Sequence, residues 1–84
     1  MRRWEKRLEE LRSKPAGDWQ IKDVALVCKG FGIELRAPRS GGSHCKVTHQ
    51  SQHEILTIPA RRPIKLVYIR RFVQFVDAVK EAQR

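Results

Sequence analysis

Residues 41–48, Gly-Gly-Ser-His-Cys-Lys-Val-Thr, begin with two glycines and then alternate between polar and apolar side chains. Such alternation is typical of a β-strand that is buried on one face only. The pattern predicts that Cys45 and Val47 point into a core. It also predicts that His44 stands at the entry of the strand, on an open face beside Lys46.

Two further segments have the same period of two. Residues 31–36 predict a strand with Phe31, Ile33 and Leu35 inward, and residues 54–58 predict a strand with Leu56 and Ile58 inward. A loop at 38–42 and a polar turn at 50–53 separate the three segments, and Pro59 is expected to end the sheet. We therefore expect three consecutive antiparallel strands.

Helical periodicity precedes these strands. Trp4, Leu8 and Leu11 recur at the spacing of a short amphipathic helix, which is expected to end near Ser13 because a proline and a glycine follow. A second helix is predicted over the apolar residues between 21 and 28. Asp18 is expected to cap its start, and Gly30 is expected to end it in a left-handed turn.

Helical periodicity also follows the strands. The apolar stripe of a last helix consists of Ile69, Phe72, Val73, Val76 and Val79. The predicted fold class is α+β: an α-β-β-β-α core at 18–84, with three antiparallel strands and helices on one face, preceded by a helical extension at 1–14. This core has the architecture of double-stranded-RNA-binding domains. The 84 residues are expected to form one domain.

The positive charge is concentrated in one part of the chain. The net charge is +9. Residues 36–71 contain eight basic side chains and one acidic side chain, Glu54, a balance of +7. Such a surface suits a polyanion, and an anionic membrane surface is a weaker reading because the basic residues do not follow one amphipathic helix.

Several classes of protein do not fit this composition. No apolar run approaches the roughly 18 residues of a membrane span, and no signal-peptide core is visible, so a cytoplasmic location is expected. Cys28 and Cys45 do not make a disulfide framework and fit a reducing compartment. They also lack the close spacing of a zinc knuckle with His49 and His53. No metal or other cofactor is expected.

The histidine and the surrounding cations suggest chemistry on RNA. Histidine is the side chain best suited to move protons near neutral pH, and cations offset the charge that develops on a phosphate during cleavage. The candidate catalytic residue is His44. The candidate RNA-binding residues are Arg36, Arg39, Gly42, Ser43, Lys46, Arg61, Arg62 and Lys65. Tyr68, Phe72 and Phe75 are expected in the core, so base stacking is not indicated.

The tripeptide Gly42-Ser43-His44 at the entry of a strand, in this order of elements, resembles the HicA toxin family. The match runs from about Ile21 to Phe75, and residues 62–65, Arg-Pro-Ile-Lys, resemble the connector of a variant with an extra N-terminal helix. The resemblance implies a toxin of a type II toxin–antitoxin system that cleaves messenger RNA, with His44 as its catalytic residue. It also implies a HicB-type antitoxin partner, through which alone DNA would be contacted.

The resemblance has one departure, and other functions stay open. Many family members carry a histidine shortly after the proline that ends the third strand, where this chain has Arg61. A non-catalytic RNA-binding module, or an inactive toxin relative held by a protein partner, would have much of the same sequence. The third possibility is an interaction protein whose basic face binds an acidic protein partner and has negligible affinity for RNA.

Overall fold

The computed structural model describes residues 1–38 and 42–84. The elements in chain order are α1 (Arg3–Ser13), α2 (Ile21–Phe31), β1 (Glu34–Arg36), β2 (His44–Thr48), β3 (Leu56–Pro59) and α3 (Leu66–Ala82). The α+β class, the α-β-β-β-α order and the additional N-terminal helix are therefore confirmed. The predicted loop residues Arg39 and Gly41 lie outside the described residues.

The strands form one antiparallel sheet in the order β1-β2-β3. Leu35 pairs with Val47, and Val47 pairs with Leu56, so the inward positions of the three strands lie in register. Cys45, Val47, Leu56 and Ile58 are all buried, as the alternation predicted. Their neighbours on the strands face solvent, and the sheet therefore has one covered and one open face.

The helices cover the inner face of the sheet. Ile69, Phe72 and Val76 of α3 are fully buried and belong to the same core as Val47 and Ile58. α2 contacts β1 and α3, and α1 packs on both α2 and α3 through helical residues of the core. The fold is thus a two-layer arrangement, which is the common solution for an open-faced antiparallel sheet.

The boundary between α2 and β1 differs from the predicted one. Gly30 does not end α2; the helix continues to Phe31, and Gly32, with φ of 69°, provides the left-handed C-cap. Phe31 is consequently the last helical residue instead of an inward strand residue, and β1 has only three residues. Two glycines lie two positions apart in the sequence, and only tertiary packing distinguishes their roles.

The role of Gly30 follows from the way α1 packs on α2. A methyl group added at Gly30 would overlap the indole ring of Trp4, which lies against the glycine backbone. Gly30 therefore provides space for α1 to approach α2, whereas Gly32 provides the backbone conformation that ends the helix.

The start of α2 and the end of β3 also differ from the predictions. Gln20, and not Asp18, is the N-cap, and its backbone N–H donates to the carboxylate of Asp23 at 2.9 Å. Pro59 belongs to β3, which begins only at Leu56. A proline is compatible with this position because β3 is an edge strand, where a missing backbone donor can be tolerated.

Two ion pairs hold α1 on the other helices. Arg7 donates to the buried carboxylate of Asp23 on α2. Both terminal nitrogens of Arg12 donate to the two carboxylate oxygens of Asp77 on α3, at 2.7 and 2.8 Å. These polar contacts flank the apolar side chain of Leu11, which is fully buried. Within the described residues, no helix is long and apolar enough to cross a membrane.

The Arg12–Asp77 pair predicts a pH-dependent contribution to stability. Hydrogen bonds from Arg12 hold the pKa of Asp77 below its ordinary value of 3.8. The stabilisation is therefore present above this value and is lost as pH falls through the lower pKa of the folded protein. Because the side chains are 40% and 43% exposed, Asp77→Asn should lower the free energy of unfolding at neutral pH by only about 0.5–1 kcal/mol.

Urea titrations of the natural chain and of Asp77→Asn, at neutral pH and at strongly acidic pH, would measure the difference in their free energies of unfolding. The difference should disappear in acid, where Asp77 of the natural chain is itself protonated. Glu81→Gln is the matched control, because Glu81 pairs with Arg84 at the exposed end of the chain and, among residues 1–38 and 42–84, has no ion pair with another helix. A difference that is equal at both pH values would show that the pair does not have this role.

The contact between Trp4 and Gly30 predicts a reversal of the usual effect of alanine. In an unobstructed helix, Gly→Ala stabilises by about 1 kcal/mol. Gly30→Ala should instead lower the melting temperature, because the new methyl group displaces the indole ring. In a Trp4→Ala background the same change should raise the melting temperature, and the double-mutant cycle isolates the contact. Stabilisation by Gly30→Ala in both backgrounds would contradict the packing.

Candidate functional site

His44 is the first residue of β2 and is exposed on the open face of the sheet. Its Nδ1 lies 3.1 Å from Oγ of Ser43. When Nδ1 carries the proton and donates it to Ser43, the lone pair on Nε2 is left available to accept another proton. In this tautomer His44 can act as a base through Nε2, while Ser43 holds the other nitrogen of the ring.

The backbone beside His44 is tied to the segment that follows β3. The carbonyl oxygen of Ser43 accepts a hydrogen bond of 2.6 Å from the N–H of Ala60, and His44 itself is paired with Pro59. Residues 60–65, which we call the basic connector, start at this point. The strand entry and the connector are thus held side by side.

The far end of the basic connector is anchored in the core. Ile64 is buried, and its N–H donates to the carbonyl oxygen of Trp19 at 2.9 Å. The indole N–H of Trp19 in turn donates to the carbonyl oxygen of Lys14 at 2.7 Å. Arg62 adds an ion pair with Asp18 at 3.2 Å. The segment between α1 and α2 therefore positions the connector.

A cleft of about 490 Å³ lies between the strand entry, the basic connector and the start of α3. It is lined by Ser43, His44, Pro59, Arg61, Arg62, Pro63, Ile64, Lys65 and Tyr68. Five of the predicted site residues, separated by up to 22 positions in the chain, are therefore brought together. Lys65 is the N-cap of α3, whose first turn has no acidic residue, so the helix dipole adds to the positive potential here.

Two other predicted residues lie on the open face outside this cleft. Lys46 is exposed, two positions from His44 on the same strand, and pairs in register with Arg36 of β1. Arg36 donates to Glu34 at 2.9 Å, and this contact lowers the pKa of the Glu34 carboxyl. The charge of Arg36 is therefore partly compensated, whereas within the described residues Lys46 has no ion pair.

Two predicted residues of the loop remain, Arg39 and Gly42, and of these Gly42 is exposed and directly precedes Ser43. Arg39 lies outside the described residues, and the predicted contacts of Arg39 and Gly42 with RNA stay predictions. His49 accepts the N–H of Ser51 at 3.0 Å and its ring also contacts Oγ of that serine, which fits the turn role expected for it.

Sequence reasoning missed the apolar lining of this cleft, which consists of Pro59, Pro63, Ile64 and Tyr68, and it missed the role of Trp19. Tyr68 was expected in the core with Phe72 and Phe75, but it is only partly buried and lines the cleft. Its position in the first turn of α3, directly after the basic connector, was the available signal. Trp19 had no predicted role at the site, and only the fold shows that its carbonyl oxygen holds Ile64.

The two cysteines lie on the covered side, away from His44. Both are buried, as expected for small core residues. Burial raises the pKa of the Cys28 thiol to about 12, and it also raises the pKa of the Cys45 thiol. Among the described residues, no three His, Cys, Asp or Glu side chains are grouped as metal ligands would be.

This arrangement predicts that alkylation of Cys45 reports on the integrity of the strand that carries His44. At about pH 8, close to the pKa of a free thiol, iodoacetamide should react slowly with both cysteines of the folded protein. It should react rapidly at the same pH once guanidinium unfolds the chain. Mass spectrometry of time points would distinguish the two thiols. Rapid modification of Cys45 in the folded protein would contradict its burial behind His44.

The cleft combines one exposed histidine, one adjacent hydroxyl and three cationic side chains around a partly apolar floor. Such a set can move a proton and can neutralise a phosphate. No family model, curated protein or solved structure matches this chain.

Proposed function

We propose that this protein is a metal-independent endoribonuclease that cleaves messenger RNA, with His44 as its proton-transferring residue. The observation that supports this most directly is that His44 lines a cleft together with Arg61, Arg62 and Lys65. RNA carries both the phosphate that such cations bind and the 2′-hydroxyl that such a base can activate. The resemblance of residues 42–44 to the HicA motif points to the same chemistry.

In the proposed reaction, His44 accepts the proton of a 2′-hydroxyl, and the 2′-oxygen attacks the adjacent phosphorus. The bond from phosphorus to the 5′-oxygen of the next nucleotide breaks. The leaving 5′-oxygen takes up one proton from water and becomes a 5′-hydroxyl, His44 returns its proton to the solvent, and the other product is a 2′,3′-cyclic phosphate. No metal or redox partner is needed for this balance. A positioned base contributes about 10²–10⁴-fold to such a step.

The cations would act on the charge that accumulates on the phosphate oxygens. Arg61 and Lys65 have no ion pair within the described residues, whereas Arg62 is paired with Asp18. Arg61 and Lys65 are therefore the side chains most available to a phosphate. In this proposal Arg61 contributes by its charge, at the place where many HicA members carry a histidine.

The proposed biological role is that of a toxin in a type II toxin–antitoxin system of a bacterial cytoplasm. This role rests on the HicA resemblance and implies a HicB-type antitoxin as protein partner. Arg70 and Arg71, both exposed near the start of α3, are candidate contacts for acidic side chains of that partner.

The deciding experiment is incubation of a long messenger RNA with purified protein in EDTA. The natural chain should cleave it, and His44→Ala should lower the rate by about 10²–10⁴-fold, because the proton acceptor is lost. His53→Ala is the matched control, since His53 is an exposed histidine of the 50–53 turn and does not line the cleft. The ends of the fragments should be 2′,3′-cyclic phosphate and 5′-hydroxyl.

Two further readouts separate catalysis from binding. His44→Ala should still bind RNA, with an affinity that falls steeply as salt increases, because phosphate contacts release counterions. Expression of the natural chain should arrest bacterial growth, and expression of His44→Ala should not. Intact RNA together with salt-sensitive binding in both proteins would instead identify a non-catalytic RNA-binding module or an inactive toxin relative.

A further inference from the structure

We propose that the cleft beside His44 holds one unpaired nucleotide, with its base against the ring of Tyr68, so that the substrate is single-stranded RNA. That single-stranded RNA is the substrate for cleavage rests on the proposed function. That the cleft binds an unpaired nucleotide does not, because binding depends on the shape and chemistry of the cleft alone. It also differs from what the double-stranded-RNA-binding architecture by itself would suggest.

The cleft has an apolar part and a cationic part. Pro59, Pro63, Ile64 and Tyr68 provide apolar surface, and Arg61 and Lys65 provide positive charge in the same space. A phosphate alone would need only the cations. A nucleotide needs both, because its base is flat and largely apolar on its faces whereas its phosphate is anionic. The volume of about 490 Å³ lies within the range of small-ligand sites.

Tyr68 is held in place before any ligand arrives. One part of its side chain packs on the hydrophobic core, while another part lines the cleft. Its backbone N–H donates to the carbonyl oxygen of Lys65 at 3.0 Å, in the first turn of α3. Because the side chain already packs on the core, it loses little conformational freedom when a base packs on it, so more of the contact energy appears as affinity.

The open face of the sheet does not provide such a surface. Its described strand residues that face solvent are Glu34, Arg36, His44, Lys46 and Thr57, none of which is aromatic apart from the imidazole. This face can contact phosphates, but the concave aromatic surface lies beside it, next to His44. In a duplex the bases are paired and stacked, and only the backbone and groove edges are accessible. A duplex could therefore bring a phosphate to the cations of the cleft, but it could not place a base against Tyr68.

The reaction geometry favours the same substrate. In-line attack requires the 2′-oxygen, the phosphorus and the leaving 5′-oxygen to be nearly collinear, and a regular A-form backbone does not place them so. A nucleotide whose base is drawn into the cleft can rotate about its backbone into this alignment. Holding the reacting atoms in such a geometry is a large part of the catalytic effect of many enzymes.

Binding can be measured without cleavage in the His44→Ala background with EDTA present. The probe is a fluorescently labelled RNA of about ten nucleotides, alone or annealed to its complement. Fluorescence anisotropy should show tighter binding of the single strand. Adding Tyr68→Leu should weaken single-strand binding by roughly 5- to 100-fold, which corresponds to the stacking of one base. Tyr68→Phe should retain the affinity, because the ring remains.

The matched control is Phe31→Leu in the same background. Phe31 is also partly buried against the core, but it lies at the end of α2 and outside the cleft, so this change should leave RNA affinity unaltered. Thermal melting of both leucine variants shows whether each still folds. If Tyr68→Leu unfolds, the comparison of single strand and duplex in the His44→Ala background still tests the nucleotide cleft, because equal affinities would overturn it.

The outcomes separate this inference from the proposed function. Equal affinity for duplex and single strand, or equal losses for Tyr68→Leu and Phe31→Leu, would overturn the nucleotide cleft and leave a cleaving enzyme possible. Binding of the single strand that depends on Tyr68, with no cleavage by the natural chain, would support the cleft and overturn the ribonuclease. If the protein neither binds nor cleaves RNA, both the nucleotide cleft and the proposed function are overturned.

Discussion

The burial of the inner face of the sheet under α3 is the constraint on which the rest of the structure depends. Val47 and Ile58 are fully buried against the core to which Phe72 and Val76 belong. Because side chains alternate along a strand, burial of Val47 places His44 on the opposite face. A shift of one residue would bury the histidine and expose the apolar residues, so the same packing that stabilises the fold also presents the candidate catalytic group.

The basic connector is the second determinant of the site. A loop of six residues would ordinarily adopt many conformations, but this one is tied to Ser43 at its start and to Trp19 near its end. Burial of Ile64 adds an apolar anchor. The cleft is therefore preformed by contacts from the strand entry, from the segment before α2 and from the first turn of α3.

Ion pairs with carboxylates compensate the charge of some basic side chains more than that of others. Arg12 and Arg62 are used in contacts with Asp77 and Asp18, and Arg36 is used with Glu34. In the described part of the chain, Arg61 and Lys65 have no such partner, and both line the cleft. The sequence shows a basic region as a whole, whereas the structure shows which of its cations remain available to a phosphate.

Most of the fold could be predicted from local patterns, and the failures have identifiable causes. Alternation placed Cys45 inward and His44 outward, because a period of two is a property of the strand itself. Gly30 and Gly32 were confused because either can end a helix, and only the position of the Trp4 ring shows that Gly30 is there to leave space between two helices. Asp18 was assigned as a cap because its type is suitable, but its carboxylate lies with Arg62.

The sequence by itself determined the order of the elements, the two faces of each strand and the concentration of charge around His44, because these depend on residues close together in the chain. Only the tertiary structure decided that the basic connector and Tyr68 meet His44 in one cleft. That meeting requires contacts between segments far apart in the chain, such as the hydrogen bond from Ile64 to Trp19. Periodicity and composition describe how one segment behaves, and they contain no information on which distant segment it will contact.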